Sequence, residues 1–185
     1  MARGLKYAVD KLKAAGVKVV EFEPYKQADL YKLCTTLFFT DAGKCVTELF
    51  ELAGEPINSM TKWSLTHAPA EPFTLVESWK LNAQREAYRA EYHKLMKERG
   101  VDFILCPSYV GAAAEVGTTQ YWAYTAMWNV LDQPSITFPT GLKADPAVDV
   151  VNADFKPLSK EDQREYDKCK NRRYAPSPTK RSSEC

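Results

Sequence analysis

One stretch of this sequence is rich in aromatic residues and contains one asparagine, and it is the stretch best suited to hold a small molecule. Tyr121, Tyr124 and Trp128 fall on one face at helical spacing, and Asn129 lies on the adjacent face. Small-molecule pockets combine apolar and aromatic walls with a few polar groups that orient the ligand. We predict these four residues as substrate-pocket candidates, with the alternative that a helix apolar all round is simply buried in a core.

Tyr109 is a fifth pocket candidate because it follows a predicted strand. Residues 103–106 are apolar in succession, and Pro107 ends the run. Ligand sites in α/β proteins gather beyond the carboxyl ends of strands, which is where Tyr109 is expected to lie.

Nucleophilic chemistry has no recognisable motif in the chain. Such chemistry needs an activated nucleophile, a base, and donors aimed at the developing oxyanion. The nearest two of the eight glycines are six residues apart, and the only adjacent serines, Ser182 and Ser183, stand in a charged tail. Neither His67 nor His93 accompanies a G-x-S-x-G motif. We assign no catalytic residue, and a small hydrolase that uses one of these histidines is the least favoured hypothesis.

Composition argues against several other classes of protein. The five cysteines include no C-x-x-C pair and none adjoins a histidine, which predicts reduced thiols, no metal site and a cytoplasmic location. No phosphate-binding or dinucleotide fingerprint occurs, so no cofactor is expected. The net charge of +1 provides no basic field for nucleic acid. The longest uncharged run, residues 116–131, is shorter than the roughly 20 residues of a membrane span.

Two helix–glycine–strand units predict an α/β fold. Leu5, Val9 and Leu12 mark the first helix, which Gly16 separates from a β-branched run at residues 17–22.

The second unit is a long helix after Pro72, which Gly100 ends before residues 101–106. The apolar run at 103–106 predicts a central strand, and residues 135–138 are a third strand candidate.

The remaining segments complete the predicted organisation. Residues 28–52 have helical spacing, with Gly43 as a candidate break, and residues 55–72 are a loop by composition. Apolar residues become sparse from residue 156, which predicts a polar, poorly ordered tail at 156–185.

Two adjoining segments carry a family resemblance. They are D-F-I-L-C-P-S-Y-V-G at 102–111 and G-T-T-Q-Y-W-A-Y-T-A-M-W-N-V-L-D-Q-P-S-I-T-F-P-T-G at 117–141. This region resembles the C-terminal part of the amidase signature family, closest to its fungal acetamidase-like branch. The resemblance implies a mixed β-sheet core covered by helices. We therefore expect residues 1–155 to form an incomplete part of an amidase domain, ahead of the polar tail.

The resemblance also implies hydrolysis of carboxylic amides to an acid plus ammonia or an amine, through a serine nucleophile. Family members carry that serine in a Gly/Ser-rich loop with a catalytic lysine upstream, and no position of this sequence matches either. We expect a chain that is inactive alone and belongs to an enzyme of small-molecule amides. The alternative is a non-catalytic remnant or partner-binding fragment, which exposes apolar surface and self-associates.

Overall fold

The computed structural model describes residues 1–111, 114, 116–145, 147–150, 152 and 154–171. Within these ranges the chain forms seven α-helices: α1 (Ala2–Ala14), α2 (Gln27–Phe38), α3 (Lys44–Ala53), α4 (Ser59–Leu65), α5 (Leu75–Arg99), α6 (Ala123–Val130) and α7 (Lys160–Asn171).

Buried apolar side chains join α2, α5 and α6 into one core. Within each helix the buried residues recur at helical spacing, as expected of helices that each bury one face. The core consists of Leu30, Leu33 and Cys34 of α2, Tyr88 and Tyr92 of α5, Ala126, Met127 and Val130 of α6, and the adjoining Leu131. The Tyr92 hydroxyl donates to the main-chain oxygen of Tyr25 at 3.4 Å, so the buried phenol has a polar partner.

Local signals in the sequence fix both ends of α5, the longest helix. Thr74 is its N-cap and forms a capping box with Glu77, because each side chain accepts a hydrogen bond from the other residue's main-chain N–H. Gly100 ends the helix with φ of 62°, a left-handed conformation that glycine adopts without steric cost. The predicted helix and its stop at Gly100 are confirmed.

The prediction of a loop at residues 55–72 is wrong in part, because α4 lies within it. Asn58 is the N-cap of α4, and its side-chain oxygen accepts a hydrogen bond from the Thr61 N–H at 2.9 Å. An asparagine in that position satisfies a donor that a helix start leaves without a partner. The prolines on either side obscured this signal.

The predicted α/β class, with a mixed β-sheet core, is wrong for the described part of the chain, which is helical and contains no strand. A strand exists only when a neighbour pairs with it. Residues 17–22, 103–106 and 135–138 have strand composition but form no ladder within the described ranges. Phe103 is exposed, although the apolar run at 103–106 predicted a buried central strand, and Ile136 is exposed as well.

Helix α7 occupies the first part of the segment that was predicted as a polar tail. Its Glu165 is only 4% exposed, because the side chain turns toward the loop that precedes α6. Residues 172–185 lie outside the described residues, and the domain division at residue 155 stays a prediction.

Candidate functional site

An open, mostly apolar cleft of about 1700 Å³ lies beside α6. Its other walls include α1, Tyr92 and Met96 of α5, and two irregular segments, residues 102–108 and 133–140. The aromatic helix and two of the segments with strand composition therefore line the same cleft.

Helix α6 presents opposite faces to the core and to the cleft. Ala126, Met127 and Val130 are buried against the core. Tyr124 and Trp128, four residues apart, line the cleft, and the exposed side chain of Asn129 lines it as well. The helical repeat thus places the fully buried positions on one side of α6, while Trp128 both packs against the core and lines the cleft.

Contacts with α2 fix the core side of α6. The Cys34 thiol donates to the main-chain oxygen of Ala126 at 3.1 Å. Burial raises the pKa of Cys34 to about 11, because the thiolate would lose its solvation there. The thiol therefore stays protonated and acts as a packing group and donor.

Contacts with α5 hold the C-terminal end of α6. Asp132 adopts φ of 54°, a left-handed conformation that aspartate tolerates better than most residues. Its carboxylate accepts a hydrogen bond from Arg89 at 3.0 Å. The next residue, Gln133, places its side-chain nitrogen 2.7 Å from Nε2 of His93. These contacts lie where the chain leaves α6 and enters the cleft wall.

Trp128 connects α6 to the irregular wall at residues 102–108. Burial raises the pKa of the Cys106 thiol, and a hydrogen bond from the Trp128 side chain opposes that shift. Both residues line the cleft. The Trp128 side chain therefore lies beside Cys106 on the cleft wall.

The other two predicted pocket residues form an aromatic row with Tyr124. The ring of Tyr121 lies 5.8 Å from that of Tyr124 and 6.2 Å from that of Tyr109, in the latter case edge to face at 89°. Tyr109 and Tyr121 are not among the residues that line the cleft. Burial raises the pKa of Tyr121, so its phenol stays neutral. The structure thus brings Tyr124, Trp128 and Asn129 to the cleft, with Tyr109 and Tyr121 behind one end of it.

Glu165 anchors this aromatic row to α7. Its carboxylate accepts hydrogen bonds from the Tyr109 hydroxyl at 2.6 Å and from Lys168 Nζ at 2.7 Å. Burial alone would raise the pKa of Glu165, but the bonds from Lys168 and Tyr109 outweigh it and lower the pKa. Sequence reasoning missed this residue because its surroundings in the sequence are uniformly polar.

An ion pair ties α1 to the rim of the cleft. Arg3 donates two hydrogen bonds to the carboxylate of Asp149, at 2.8 and 2.6 Å, and a third to the main-chain oxygen of Lys143 at 2.7 Å. The guanidinium holds the pKa of Asp149 well below its usual range. A bidentate arginine–carboxylate contact fixes orientation as well as distance.

The histidines bond to groups other than hydroxyls. His67 Nδ1 lies 3.1 Å from the main-chain oxygen of Ser64, and its ring stacks on Trp122 at 5.4 Å and meets Trp63 edge to face at 5.0 Å. His93 contacts Gln133. Neither arrangement joins an imidazole to a nucleophile, so the geometry gives no support to the histidine-dependent hydrolase.

The described ranges contain no group of three or more His, Cys, Asp or Glu side chains that could hold a metal ion. None of their helices combines the length and the apolar character that crossing a membrane requires.

Comparisons with known proteins agree on one family. The amidase family profile matches residues 1–160. A Schizosaccharomyces pombe protein named "Putative amidase C550.07" is 32% identical over 179 residues, which cover 96% of this chain and 33% of the relative. The acetamidase of Aspergillus oryzae is 28% identical over 172 residues, which cover 90% of this chain and 31% of the relative.

A solved structure of a fatty acid amide hydrolase is also similar, with a TM-score of 0.81 and 33% identity. The match covers 87% of this chain and 29% of that chain. The chain thus spans about a third of the length of the curated relatives it matches.

Proposed function

The chain belongs to the amidase family, and from this premise we propose that it forms one wall of the substrate cleft in an enzyme that hydrolyses carboxylic amides. The reaction yields an acid plus ammonia or an amine. The groups that attack the amide lie outside this chain. They belong to a part of the enzyme that corresponds to the unmatched part of the relatives. The 185-residue chain is accordingly inactive alone.

The cleft face of α6 is the observation that supports this role. Tyr124 and Trp128 offer apolar surface to an acyl group, and Asn129 adds a carboxamide that can donate to the substrate oxygen or accept from its N–H. An apolar wall with few polar groups is the usual composition of a small-molecule site.

The fixed position of that face also favours a binding role. Core residues pack against one side of α6, and the side chains of Asp132 and Gln133 bond to α5 just beyond its end. Positioning groups contribute more to a reaction when they are already held in place before the substrate arrives. Tyr109 and Tyr121 support Tyr124 from behind.

The cytoplasm is the proposed compartment. Cys34, Cys45 and Cys106 are free thiols in the described residues, and disulfides are uncommon in that reducing environment. Localisation of a tagged copy of the complete protein tests this directly.

The proposed role can be tested by fusing the chain to the segment of the S. pombe relative that lies outside the match. Ammonia release from a panel of aliphatic and aromatic amides is expected from the fusion. Asn129→Ala should lower kcat/KM about tenfold, the effect of losing one hydrogen bond worth about 1.4 kcal/mol. The matched control is Gln84→Ala, which removes an exposed amide of α5 outside the cleft.

Two results would contradict the proposal. A fusion that is folded by circular dichroism but inactive on every amide would argue against the enzyme role. Equal activity of the Asn129→Ala and Gln84→Ala fusions would remove Asn129 from the substrate wall.

A further inference from the structure

Helix α7 has little apolar surface with which to pack against the rest of the chain. Its sequence contains no Ala, Val, Leu, Ile or Met. Tyr166 stacks on Phe155 just before the helix, with ring centroids 3.7 Å apart. A helix without an apolar face gains little from hydrophobic burial. The position of α7 therefore depends largely on the hydrogen bonds of its polar side chains.

Two basic side chains of α7 bond to the main chain of the segment that leads into α6. Arg164 donates to the main-chain oxygen of Gln120 at 3.3 Å, and Lys168 Nζ donates to that of Thr118 at 2.9 Å. Arg164 and Lys168 are four residues apart, so they lie on the same side of the helix. This side of α7 therefore faces the segment that carries Tyr121.

Glu165 is the buried acidic residue on that side. Its two carboxylate oxygens accept from the Tyr109 hydroxyl at 2.6 Å and from Lys168 Nζ at 2.7 Å, and the side chain is only 4% exposed. Hydrogen bonds to a carboxylate are shorter and stronger than those between neutral groups. The carboxylate therefore fixes where the Tyr109 hydroxyl lies. We call Arg164, Glu165 and Lys168 the α7 clamp.

Ring contacts connect Tyr109 to the cleft. The Tyr109 ring meets that of Tyr121 edge to face at 6.2 Å, and Tyr121 lies 5.8 Å from Tyr124. The energy of such contacts depends on the relative orientation of the rings. Of these three tyrosines, Tyr124 alone lines the cleft. A displacement of Tyr109 is therefore expected to change the position of Tyr124.

Family membership assigns no role to the α7 clamp. The amidase profile matches residues 1–160, whereas α7 spans Lys160–Asn171. None of the three clamp side chains lines the cleft. Any effect of the clamp on a bound substrate must therefore pass through the residues that it holds.

We propose that Glu165 is a positioning residue that sets the place of Tyr124 and thereby favours amides with large apolar acyl groups. A phenyl group buries more apolar surface against Tyr124 than a methyl group does. Displacement of the ring therefore weakens binding of the larger substrate more. The inference rests on the proposed function for the substrate, whereas the link from Glu165 to Tyr124 is a property of the folded chain.

Fluorine NMR of the 185-residue chain, with 3-fluorotyrosine at position 124 alone, tests that link. Glu165→Met removes both acceptor oxygens, and Tyr109→Phe removes only the hydroxyl. Each change should move the fluorine resonance by several line widths. Because both changes break the same hydrogen bond, the double variant should move the resonance no further than the larger single change.

The matched control is Glu161→Met, which removes an exposed carboxylate of the same helix outside the clamp. It should leave the resonance of position 124 in place. All variants should keep the helical circular dichroism of the original chain. If Glu165→Met loses helix, Tyr109→Phe decides alone, because it removes one oxygen and leaves the ring.

The fusion to the unmatched segment of the S. pombe relative tests the effect on substrate choice. Glu165→Met and Tyr109→Phe should each raise KM for benzamide at least about fivefold, whereas KM for acetamide and kcat for both amides should change less than about twofold. Glu161→Met should change neither amide's kinetics. A purely structural role of α7 would reduce the amount of folded enzyme and so lower the rates on both substrates alike.

Three outcomes would overturn the proposal. The first is an unmoved resonance of position 124 in both folded variants. The second is additive shifts in the double variant, because Glu165 and Tyr109 would then act separately. The third is an equal rise in KM for benzamide and acetamide. A fusion inactive on every amide would instead refute the enzyme role, and the fluorine measurement would still decide whether Glu165 positions Tyr124.

Discussion

Leu131→Ala should remove a large part of the stability of the helical core. Leu131 follows α6 directly, has no exposed surface and belongs to the cluster that joins α2, α5 and α6. Leucine-to-alanine changes at fully buried positions cost about 3 kcal/mol, the sum of lost transfer free energy and a residual cavity. With a urea m-value of about 2 kcal/mol per molar, the unfolding midpoint should fall by about 1.5 M.

Urea unfolding followed by far-ultraviolet circular dichroism measures this effect. The control is Leu52→Ala, since Leu52 is 85% exposed on α3 and its truncation should change the free energy of unfolding by less than about 0.5 kcal/mol. A Leu131→Ala variant that shows no cooperative unfolding transition would also agree with the predicted loss of stability. A midpoint shift no larger than that of Leu52→Ala would refute the assignment of the core to α2, α5 and α6.

Three further predictions follow from individual contacts. At pH 8.5, iodoacetamide should modify Cys34 at least tenfold more slowly than the exposed Cys45, because Cys34 is buried and its pKa is about 11; equal rates by peptide mass spectrometry would contradict the burial. Glu165→Gln should destabilise α7 at pH 7 by about 1–2 kcal/mol, measured by amide exchange. Because the folded-state pKa of Glu165 is lowered, its contribution is present above the unfolded value of about 4.3 and is lost as the pH falls through the folded value; α7 protection that is the same at pH 7 and pH 3 would count against this. Thr74→Ala should cost about 1 kcal/mol by removing the cap of α5, whereas Thr74→Ser should retain most of it; equal thermal midpoints for the two variants would be inconsistent with the capping role.

Helices of this chain could be predicted because their signals are local. Apolar spacing marks α1 and α5, and Gly16 and Gly100 follow them with positive φ. Each of these signals acts within a few residues of the helix it defines. The Asn58 cap of α4 is equally local, but the loop-like composition around it concealed the helix.

The absence of strands among the described residues could not be predicted from the sequence, because strand formation depends on distant partners. Residues 103–106 and 135–138 have the composition of strands, yet no described segment pairs with them. The composition of a segment shows which secondary structure it favours, whereas strand pairing depends on which other segments are present. The error in fold class therefore follows from the absence of a paired neighbour for these segments among the described residues.

The candidate site was predictable only where one helix carries it. Helical spacing separates Tyr124 and Trp128 from the buried positions of α6, and the structure places both in the cleft. Glu165 is 56 residues from Tyr109 along the chain, and no sequence pattern connects them. Contacts of that kind arise from tertiary packing and appear only in the folded chain.

In the proposed function this chain contributes a substrate wall to an amidase and contains no catalytic nucleophile of its own. The most direct test is ammonia or amine release from simple amides by the purified 185-residue chain, with a serine-directed fluorophosphonate probe in the same samples. We predict no release above a heat-denatured control and no covalent labelling of the chain. Turnover together with labelling of one of its serines would contradict the claim and would place the nucleophile within these residues.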